Sequence, residues 1–471
     1  MNNLKLAWRN LWRNRRRTMI TSASVLFAVL FALLFRSLQL GSYDHMYKNA
    51  IESYTGYIQV QQKDFWDEKI VDNSFEYDLQ LEEQILDDEN VSATVPRFES
   101  FALASNGPQT KGVMVMGVDP EREIHLSNVL DRMVRYRLTP EVIKSIETDP
   151  RIPEKVKELL PVFENTAYTN AARLQLDLKI SDKDAPKIMP AIENHSHFEN
   201  GRIQMGEPGV WVGDKLSSYL QLGMGDTIVL LSQGYHATTA AGKYEIKGIV
   251  KMPLPDLDNK IVYLPLDICQ DLYNADNMLT SLALAVKNTQ KKAINETLRR
   301  ISSLVTDNQK VMEWREMNEV MVSQMEADDK SGMIMIGILY LVIAFGIFGT
   351  VLMLTAERKR EFGVLVAIGM QKKKLASIMT LEMLLIGFLG ILAGSALASL
   401  VILYGADHPI IFKGEMAKMF EDYGFEPKMV FWGIDTYYIW QVIIVSIMVL
   451  IAIIYPLKKI FGMNVVNALR A

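Results

Sequence analysis

The stretch that decides the fold is residues 331–356, SGMIMIGILYLVIAFGIFGTVLMLTA, which contains no charged residue. An α-helix needs about 20 apolar residues to cross the hydrocarbon core of a bilayer, and this run exceeds that length. Three further runs have the same character. Residues 19–35 and 436–457 are uncharged, and residues 375–406 contain one charged side chain, Glu382. The sequence therefore predicts four membrane spans.

The order of these runs gives the architecture. One span comes first, a long polar segment follows, and three spans end the pattern. The whole-chain hydrophobic content of 49% would suit a soluble protein, because the average mixes apolar helices with this polar segment. The predicted fold class is an α-helical membrane protein with four transmembrane helices (1+3). A large α+β extracytoplasmic domain is inserted between helices 1 and 2.

The distribution of charge predicts the orientation. Residues 1–17 contain six Lys or Arg and no acidic residue, and the segments after the second and fourth runs are also basic. Short segments rich in Lys and Arg remain in the cytoplasm. Residues 405–435, with three Lys and six Asp or Glu, fit the opposite side. We therefore expect both termini inside. A cleaved signal peptide is the alternative for the first run, but this run is longer than a signal core and lacks a small-x-small site.

The expected segments follow from these boundaries. They are a cytoplasmic amphipathic basic helix (1–17), transmembrane helix 1 (18–41), an extracytoplasmic α+β domain (42–330) with an insertion (121–205), transmembrane helix 2 (331–356), a cytoplasmic coupling segment (357–374), transmembrane helix 3 (375–404), a short outer loop (405–435), transmembrane helix 4 (436–457) and a cytoplasmic tail (458–471). In the first segment, Leu4, Trp8, Leu11 and Trp12 share one helical face, which is typical of a helix lying in the membrane interface. An ordinary basic flank is the alternative.

The polar segment alternates between strand and helix patterns, which indicates a mixed α+β domain. Residues 57–61 and 111–118 read as strands, and residues 291–304 read as a helix. Cys269 is the single cysteine, so an intrachain disulfide is excluded and the domain must be held by its own core.

No catalytic constellation is present in the sequence. It has neither a Gly-x4-Gly-Lys-Ser/Thr loop for ATP nor a His-Glu-x-x-His motif. His195 and His197, flanked by Glu193 and Glu199, are more typical of a solvated loop than of metal ligands. We predict no catalytic residue, no metal, no cofactor in this chain and no nucleic-acid partner.

The strongest local signal is residues 357–370, ERKREFGVLVAIGM, between the second and third runs. A simple topogenic loop, the alternative, explains the charges but not the apolar residues 362–368. We predict a short helix along the membrane that presents a face to a cytoplasmic partner. The predicted coupling residues are Glu357, Arg358, Arg360, Glu361, Phe362, Gly363, Leu365 and Gly369.

This segment resembles the coupling segment of FtsX-like permeases, the membrane subunits of ABC systems of the macrolide-exporter (MacB-like) and lipoprotein-releasing type. Other matching stretches are LAWRNLWRNRRRT (6–18), GVDP (117–120), LGMGD (222–226), YP (455–456) and residues 464–470. TGYIQV (55–60) is similar to the lipoprotein-releasing, LolC/LolE-type branch. Residues 121–205 are longer than the corresponding stretch of the family. We interpret the extra length as an insertion, so the resemblance alone does not assign the cargo.

The resemblance implies a permease subunit of a dimeric ABC complex in the bacterial inner membrane. Two separate cytoplasmic ATPase chains would bind ATP and Mg, and a second permease subunit would complete a homo- or heterodimer. ATP hydrolysis would move the extracytoplasmic domains, which extract a lipoprotein or another amphiphilic cargo and pass it to a periplasmic carrier. The alternatives are efflux of a macrolide or peptide, or a signalling subunit that regulates a cell-wall hydrolase.

Two further sets of residues have predicted roles. An apolar cavity for acyl chains is expected at Phe27, Phe31, Phe35, Met333, Ile336 and Tyr340; lipid contact or helix packing explains the Phe stripe equally well. Helix packing is expected at Glu382, Gly387, Gly390 and Gly394. Small residues spaced along one helix face let another helix approach closely. Glu382 is expected to face protein, with an arginine or a helix N-terminus as partner, because a carboxylate among lipid tails is costly.

Overall fold

The computed structural model describes residues 3–13, 15–412, 415–422 and 427–464. Predictions made for the Leu4 side chain and for residues 465–471 lie outside the described residues. The chain divides into two compact units. The span unit comprises Met1–His45, Val320–Phe412 and Lys428–Ala471, and the large domain comprises Met46–Glu319 and Lys413–Pro427.

Helices occur in both units. They are α1 (Asn3–Arg13), α2 (Arg15–Ala50), α3 (Leu79–Leu86), α4 (Pro120–Glu123), α5 (Pro140–Thr148), α6 (Glu154–Lys157), α7 (Ala171–Asp177), α8 (Ala185–Ser196), α9 (Asp214–Leu220), α10 (Pro255–Asp258), α11 (Leu266–Tyr273), α12 (Lys291–Ser302), α13 (Trp314–Met317), α14 (Glu319–Glu357), α15 (Lys359–Ala367), α16 (Lys372–Asp407), α17 (Glu415–Asp422) and α18 (Thr436–Phe461). A π-helical turn, Ile51–Thr55, continues α2.

Most strands belong to the large domain. They are β1 (Ile58–Gln62), β2 (Phe75–Glu76), β3 (Val91–Ser105), β4 (Thr110–Val118), β5 (Tyr136–Arg137), β6 (Ala167–Tyr168), β7 (Val210–Gly213), β8 (Thr227–Gln233), β9 (Thr239–Val250), β10 (Ile261–Pro265), β11 (Met278–Leu279), β12 (Ser281–Val286), β13 (Gln309–Glu313), β14 (Ile410–Ile411) and β15 (Lys428–Met429).

Within the described residues, four helices are long and apolar enough to cross a membrane. They are Thr18–Thr55, which combines α2 with its π-helical turn, and the helices α14, α16 and α18. One precedes the large domain and three follow it, so the predicted 1+3 fold class is confirmed. Each helix extends beyond its uncharged run into polar sequence. Arg36 of α2 pairs with Asp329 of α14 at 2.6 Å in one such extension.

The third span, α16, is the packing centre of the span unit. A Cβ added at Gly387 would lie 2.8 Å from a Val449 methyl carbon of α18. A Cβ at Gly390 would lie 2.7 Å from the Ser22 carbonyl oxygen, and one at Gly394 would lie 2.6 Å from that of Leu26. Glycine is therefore required where α2 and α18 approach α16, and these are the glycines for which packing was predicted.

A nine-stranded sheet forms the centre of the large domain, in the order β13-β1-β12-β3-β4-β10-β7-β9-β8. The long strand β3 pairs with β12 along its first half and with β8 at its end, where Leu103 lies opposite Leu231. The strands from β3 to β8 therefore close into a ring. Helix α11 packs on β4 so closely that a Cβ at Gly117 would lie 2.5 Å from that of Cys269.

A separate small core lies within residues 138–192, inside the predicted insertion. Thr139 caps the start of helix α5: its side chain accepts a hydrogen bond from the Val142 N–H, and Pro140 lies in the first turn. His195 lies in helix α8 and not in a solvated loop, and its ring contacts Asp149 Oδ2 at 3.1 Å and Ser145 Oγ at 3.2 Å. No group of three or more potential metal ligands occurs among the residues that the structure describes.

A buried ion pair gives the first prediction. Arg97 of β3 and Glu123 of α4 are each 1% exposed, and Arg97 Nε donates to Glu123 Oε2 at 3.0 Å. Removing one partner leaves a buried charge uncompensated, so Glu123→Ala should lower the free energy of unfolding by about 3–5 kcal/mol. The exposed neighbour Glu121 provides the control, and Glu121→Ala should change it by less than about 0.5 kcal/mol. Thermal unfolding of the full chain measures both; equal midpoints would contradict the prediction.

Candidate coupling site

The chain between the second and third spans folds into the predicted short helix. Helix α14 ends at Glu357, and Arg358 leaves the helical conformation with ψ near 4°. Helix α15 follows from Lys359 to Ala367. Gly369 then adopts φ +103°, a backbone conformation that side-chain-bearing residues rarely adopt, and α16 begins at Lys372. Residues 358 and 368–371 are therefore the breaks that set α15 apart from both spans.

A buried ion pair ties this segment to the third span. Arg358 Nη1 donates to Glu382 Oε2 at 2.6 Å, and each of the two residues is 6% exposed. Arg358 Nε also donates to Glu361 at 3.3 Å. Glu361 in turn lies 3.5 Å from Arg13 of α1 in an exposed pair. Arg358 is thus the arginine partner that the sequence led us to expect for Glu382, and it joins α15 to α16.

Phe362 lies on the inner side of α15. Its side chain is 3% exposed and packs in the core of the span unit, with the Arg358 guanidinium carbon 5.4 Å from its ring centroid. Gly363 is also buried, and Leu365 is half-buried against the same core. We expected Phe362 and Leu365 to be presented to a partner, but the structure packs both against the span unit. An apolar run of seven residues covers two faces of a helix, and these residues occupy the inner one.

The outer face of α15 carries a different set of residues. Arg360, Val364, Ala367 and Ile368 are exposed and follow the spacing i, i+4, i+7, i+8 of a single helix face. Ile368 is 79% exposed and Val364 is 39% exposed. Sequence reasoning missed Ile368, although its place four residues after Val364 was the available signal. Glu357 and Glu361 are also exposed.

Cations surround a cavity beside α15. The cavity has a volume of about 250 Å³ and lies between α15 and the end of α18. Lys359, Lys458 and Lys459 contribute to its lining, together with the buried Phe362. The exposed outer face of α15 and the lysines of this cavity together combine an apolar stripe with positive charge. They are suited to a partner that offers an apolar groove bordered by carboxylates.

The residues predicted for an acyl-chain cavity differ in their exposure, and the cavity stays a prediction. Phe27 and Phe31 lie on an exposed face of α2, with ring centroids 6.1 Å apart, and Phe35 and Met333 are also exposed. Ile336 is buried at 7% exposure. The Tyr340 hydroxyl donates to the Gln441 side-chain oxygen of α18.

A groove lies between α14 and α18. Its volume is about 470 Å³, and Tyr340, Phe345, Phe348 and Ile451 are among the residues that line it. Its surface is almost entirely apolar. Tyr340 therefore belongs to this groove and not to the stripe formed by the phenylalanines of α2.

Comparisons with known proteins bear on this part of the chain. Residues 333–465 match the model of the FtsX-like permease C-terminal family. Over 195 residues the chain is 22% identical to the lipoprotein-releasing system transmembrane protein LolC of Neisseria meningitidis serogroup B (strain ATCC BAA-335 / MC58), covering 40% of this chain and 46% of LolC. The chain thus spans about half the length of the curated relative it matches.

Two solved structures were also compared. The extracellular domain of the noncanonic ABC-type transporter YknZ from Gram-positive bacteria gives a TM-score of 0.29 at 10% identity, covering 55% of this chain and 100% of that chain. The periplasmic region of MacB from Actinobacillus actinomycetemcomitans gives a TM-score of 0.29 at 8% identity, covering 58% of this chain and 95% of that chain.

The family match includes α15, the ion pair that joins it to the third span, and the last three apolar helices. Residues 333–465 are therefore similar to an FtsX-like permease C-terminal domain, and the four apolar helices of the described residues support a multi-pass bacterial membrane protein.

Proposed function

We propose that this chain is the non-catalytic membrane subunit of an ABC complex, and that a separate cytoplasmic ATPase binds the exposed face of α15. One observation carries the proposal: Arg358 and Glu382 fix α15 to the third span, while Val364 of this helix and Ile368 directly after it remain exposed. A helix that only connected two spans would need neither the buried pair nor the exposed apolar face. ATP and Mg would bind to the ATPase, two copies of which serve a complex.

The buried pair gives a physical route for force. A movement imposed on α15 reaches α16 through Arg358 and Glu382, because separating a buried pair is costly. Helix α16 packs against α2 and α18 at its glycines, so the spans shift together. Helix α14 is continuous over 39 residues, from Glu319 to Glu357, or roughly 60 Å at 1.5 Å per residue. We propose that span movement is passed along α14 toward the large domain.

The proposed cargo is a lipoprotein extracted from the inner membrane and passed to a periplasmic carrier. LolC, whose name describes a lipoprotein-releasing system, supports this choice. The exposed phenylalanines of α2 and the apolar groove between α14 and α18 offer surfaces that suit acyl chains. Gly337, Gly346 and Gly349 of α14 face open space, which suits a second permease subunit at close approach.

The proposed cargo is tested by isolating the native complex from bacterial membranes into nanodiscs. Mass spectrometry should identify an ABC ATPase chain together with lipid-modified peptides. A periplasmic efflux adaptor in place of lipoprotein would indicate efflux of a macrolide or peptide. A cell-wall hydrolase would indicate a signalling subunit. Either result would overturn lipoprotein extraction while leaving the ATPase-binding role of α15 in place.

The proposed orientation predicts a labelling pattern. Lys183 of the large domain and Lys373 at the start of α16 are both exposed. In intact spheroplasts, a membrane-impermeant maleimide should label Lys183→Cys and spare Lys373→Cys. The native Cys269 should give little background, because it is buried and burial raises the pKa of its thiol well above its usual range. Both positions should react after the membrane is permeabilised. Labelling of Lys373→Cys alone before that step would reverse the proposed orientation.

A further inference from the structure

A second cavity lies in the span unit, away from the coupling helix. Its volume is about 250 Å³, it is open on one side, and it is lined by residues of α1, of the start of α2 and of α16. Leu11, Met19, Ala23, Leu26 and Leu389 make its wall almost entirely apolar. An apolar cavity of about 150 Å³ already accepts a benzene-sized ligand, so this one accommodates a segment of a hydrocarbon chain.

The turn between α1 and α2, which we call the elbow, is fixed by a hydrogen bond and by packing, and it maintains the shape of the cavity. The Thr18 hydroxyl donates to the Leu11 carbonyl oxygen at 3.0 Å across the turn. Ala7 and Leu11 are buried where α1 packs against α16. Since α1 is docked on the third span and tied back to α2, the cavity is part of the fold and not a gap beside a loose terminus.

Positive charge marks one end of the cavity. Arg15 is part of the lining, and its guanidinium carbon lies 5.6 Å from the ring centroid of Trp12, which also lines the cavity. Both side chains are exposed, as is Arg16. No carboxylate of the described residues pairs with Arg15 or Arg16. The lining passes from Arg15 into the apolar span that begins at Thr18. The site therefore presents cations at a polar edge and a hydrocarbon-compatible space beneath them.

We propose that this elbow binds one anionic phospholipid. The phosphate lies beside the Arg15 guanidinium, which itself lies over the Trp12 ring, and one acyl chain enters the cavity between α2 and Leu389 of α16. Arginines that have no carboxylate partner among the described residues favour a headgroup with net negative charge, because the amine of a zwitterionic lipid offsets its own phosphate. A free phosphate ion leaves the apolar wall unfilled, so the lipid and not the ion matches the whole site.

Trp12 provides the readout for a test. The full chain is placed in nanodiscs of phosphatidylcholine that contain an increasing fraction of phosphatidylglycerol with dibrominated acyl chains, which quench tryptophan fluorescence. The difference between wild type and Trp12→Phe isolates the signal from this site. We expect dibrominated phosphatidylglycerol to reach half-maximal quenching at a mole fraction about fivefold lower than dibrominated phosphatidylcholine does. Equal midpoints for the two lipids in wild type would overturn the proposal.

Three variants separate the parts of the site. Ala23→Phe fills the cavity and should remove the Trp12-dependent quenching at low mole fraction; unchanged quenching would mean that Trp12 senses only bulk lipid. Arg15→Gln, an exposed change that leaves the packing intact, should abolish the preference for phosphatidylglycerol. Arg9 is exposed on α1 and does not line the cavity, so Arg9→Gln should retain the preference. An equal loss in the Arg9 and Arg15 variants would show a diffuse charge effect and contradict a defined site.

Discussion

Replacing Glu382 with leucine should lower the free energy of unfolding of the span unit by about 3–5 kcal/mol, because it removes the buried carboxylate partner of Arg358 and leaves only the half-exposed Glu361. The expected result is a lower thermal midpoint for the purified full-length protein in detergent. Arg358→Met should have a similar effect for the same reason. The double variant Arg358→Met/Glu382→Leu replaces the pair with apolar side chains and should recover most of the lost stability, as buried pairs exchanged for apolar groups often do.

The same variants test how force is transferred. In the double variant α15 is no longer tied to α16 by charge, so ATP turnover by the assembled complex should continue while cargo release falls. A single Glu382→Leu variant with unchanged stability and unchanged release would contradict the role given to this pair. Loss of stability without any difference between the single and double variants would show that leucine disturbs packing at position 382, independently of Arg358.

The second large effect is expected on the outer face of α15. Val364→Glu and Ile368→Glu place a charge on the apolar stripe that we propose as the ATPase contact. Truncating or disrupting a central interface residue costs about 2 kcal/mol or more, so each variant should bind the ATPase at least about tenfold more weakly. Co-purification and cargo-stimulated ATP turnover measure the loss. Val320 is 83% exposed at the other end of α14, and Val320→Glu is the matched control.

Phe362 distinguishes this surface from the one expected on sequence grounds. Because its ring is buried in the span unit, Phe362→Ala should lower the thermal midpoint of the isolated permease. Ile368→Glu should leave that midpoint nearly unchanged and act on ATPase binding. The opposite pattern would mean that α15 turns its other face toward the partner.

The spans were predictable because each is decided by a local property. Uncharged runs and their order need no tertiary information, and neither does a short helix bounded by glycine. The sequence did not predict as well which face of α15 is buried and which is exposed. Seven consecutive apolar residues fit a helix in any rotation, and the rotation is set by Arg358, whose partner Glu382 lies on another helix.

The long strand β3 shows the same limit in the large domain. In its sequence Arg97 and Glu99 alternate with Phe98, a pattern that predicts two charged side chains facing solvent. Both side chains are buried and satisfied by distant residues: Arg97 by Glu123, and Glu99 by Lys69 at 2.9 Å. His195 is a third case, since its partner Asp149 comes from another segment of the insertion. Where burial of a polar group depends on a partner far along the chain, the local pattern is misleading.

The central claim is that the exposed face of α15 contacts a separate ATPase, and site-specific photocrosslinking in the native host tests it most directly. A photoreactive phenylalanine analogue at Ile368 should give an adduct that contains the ABC ATPase chain, while the same analogue at Val320 should give none. Adducts at Ile368 that contain only lipid or the permease itself, or equal ATPase adducts at both positions, would contradict the claim.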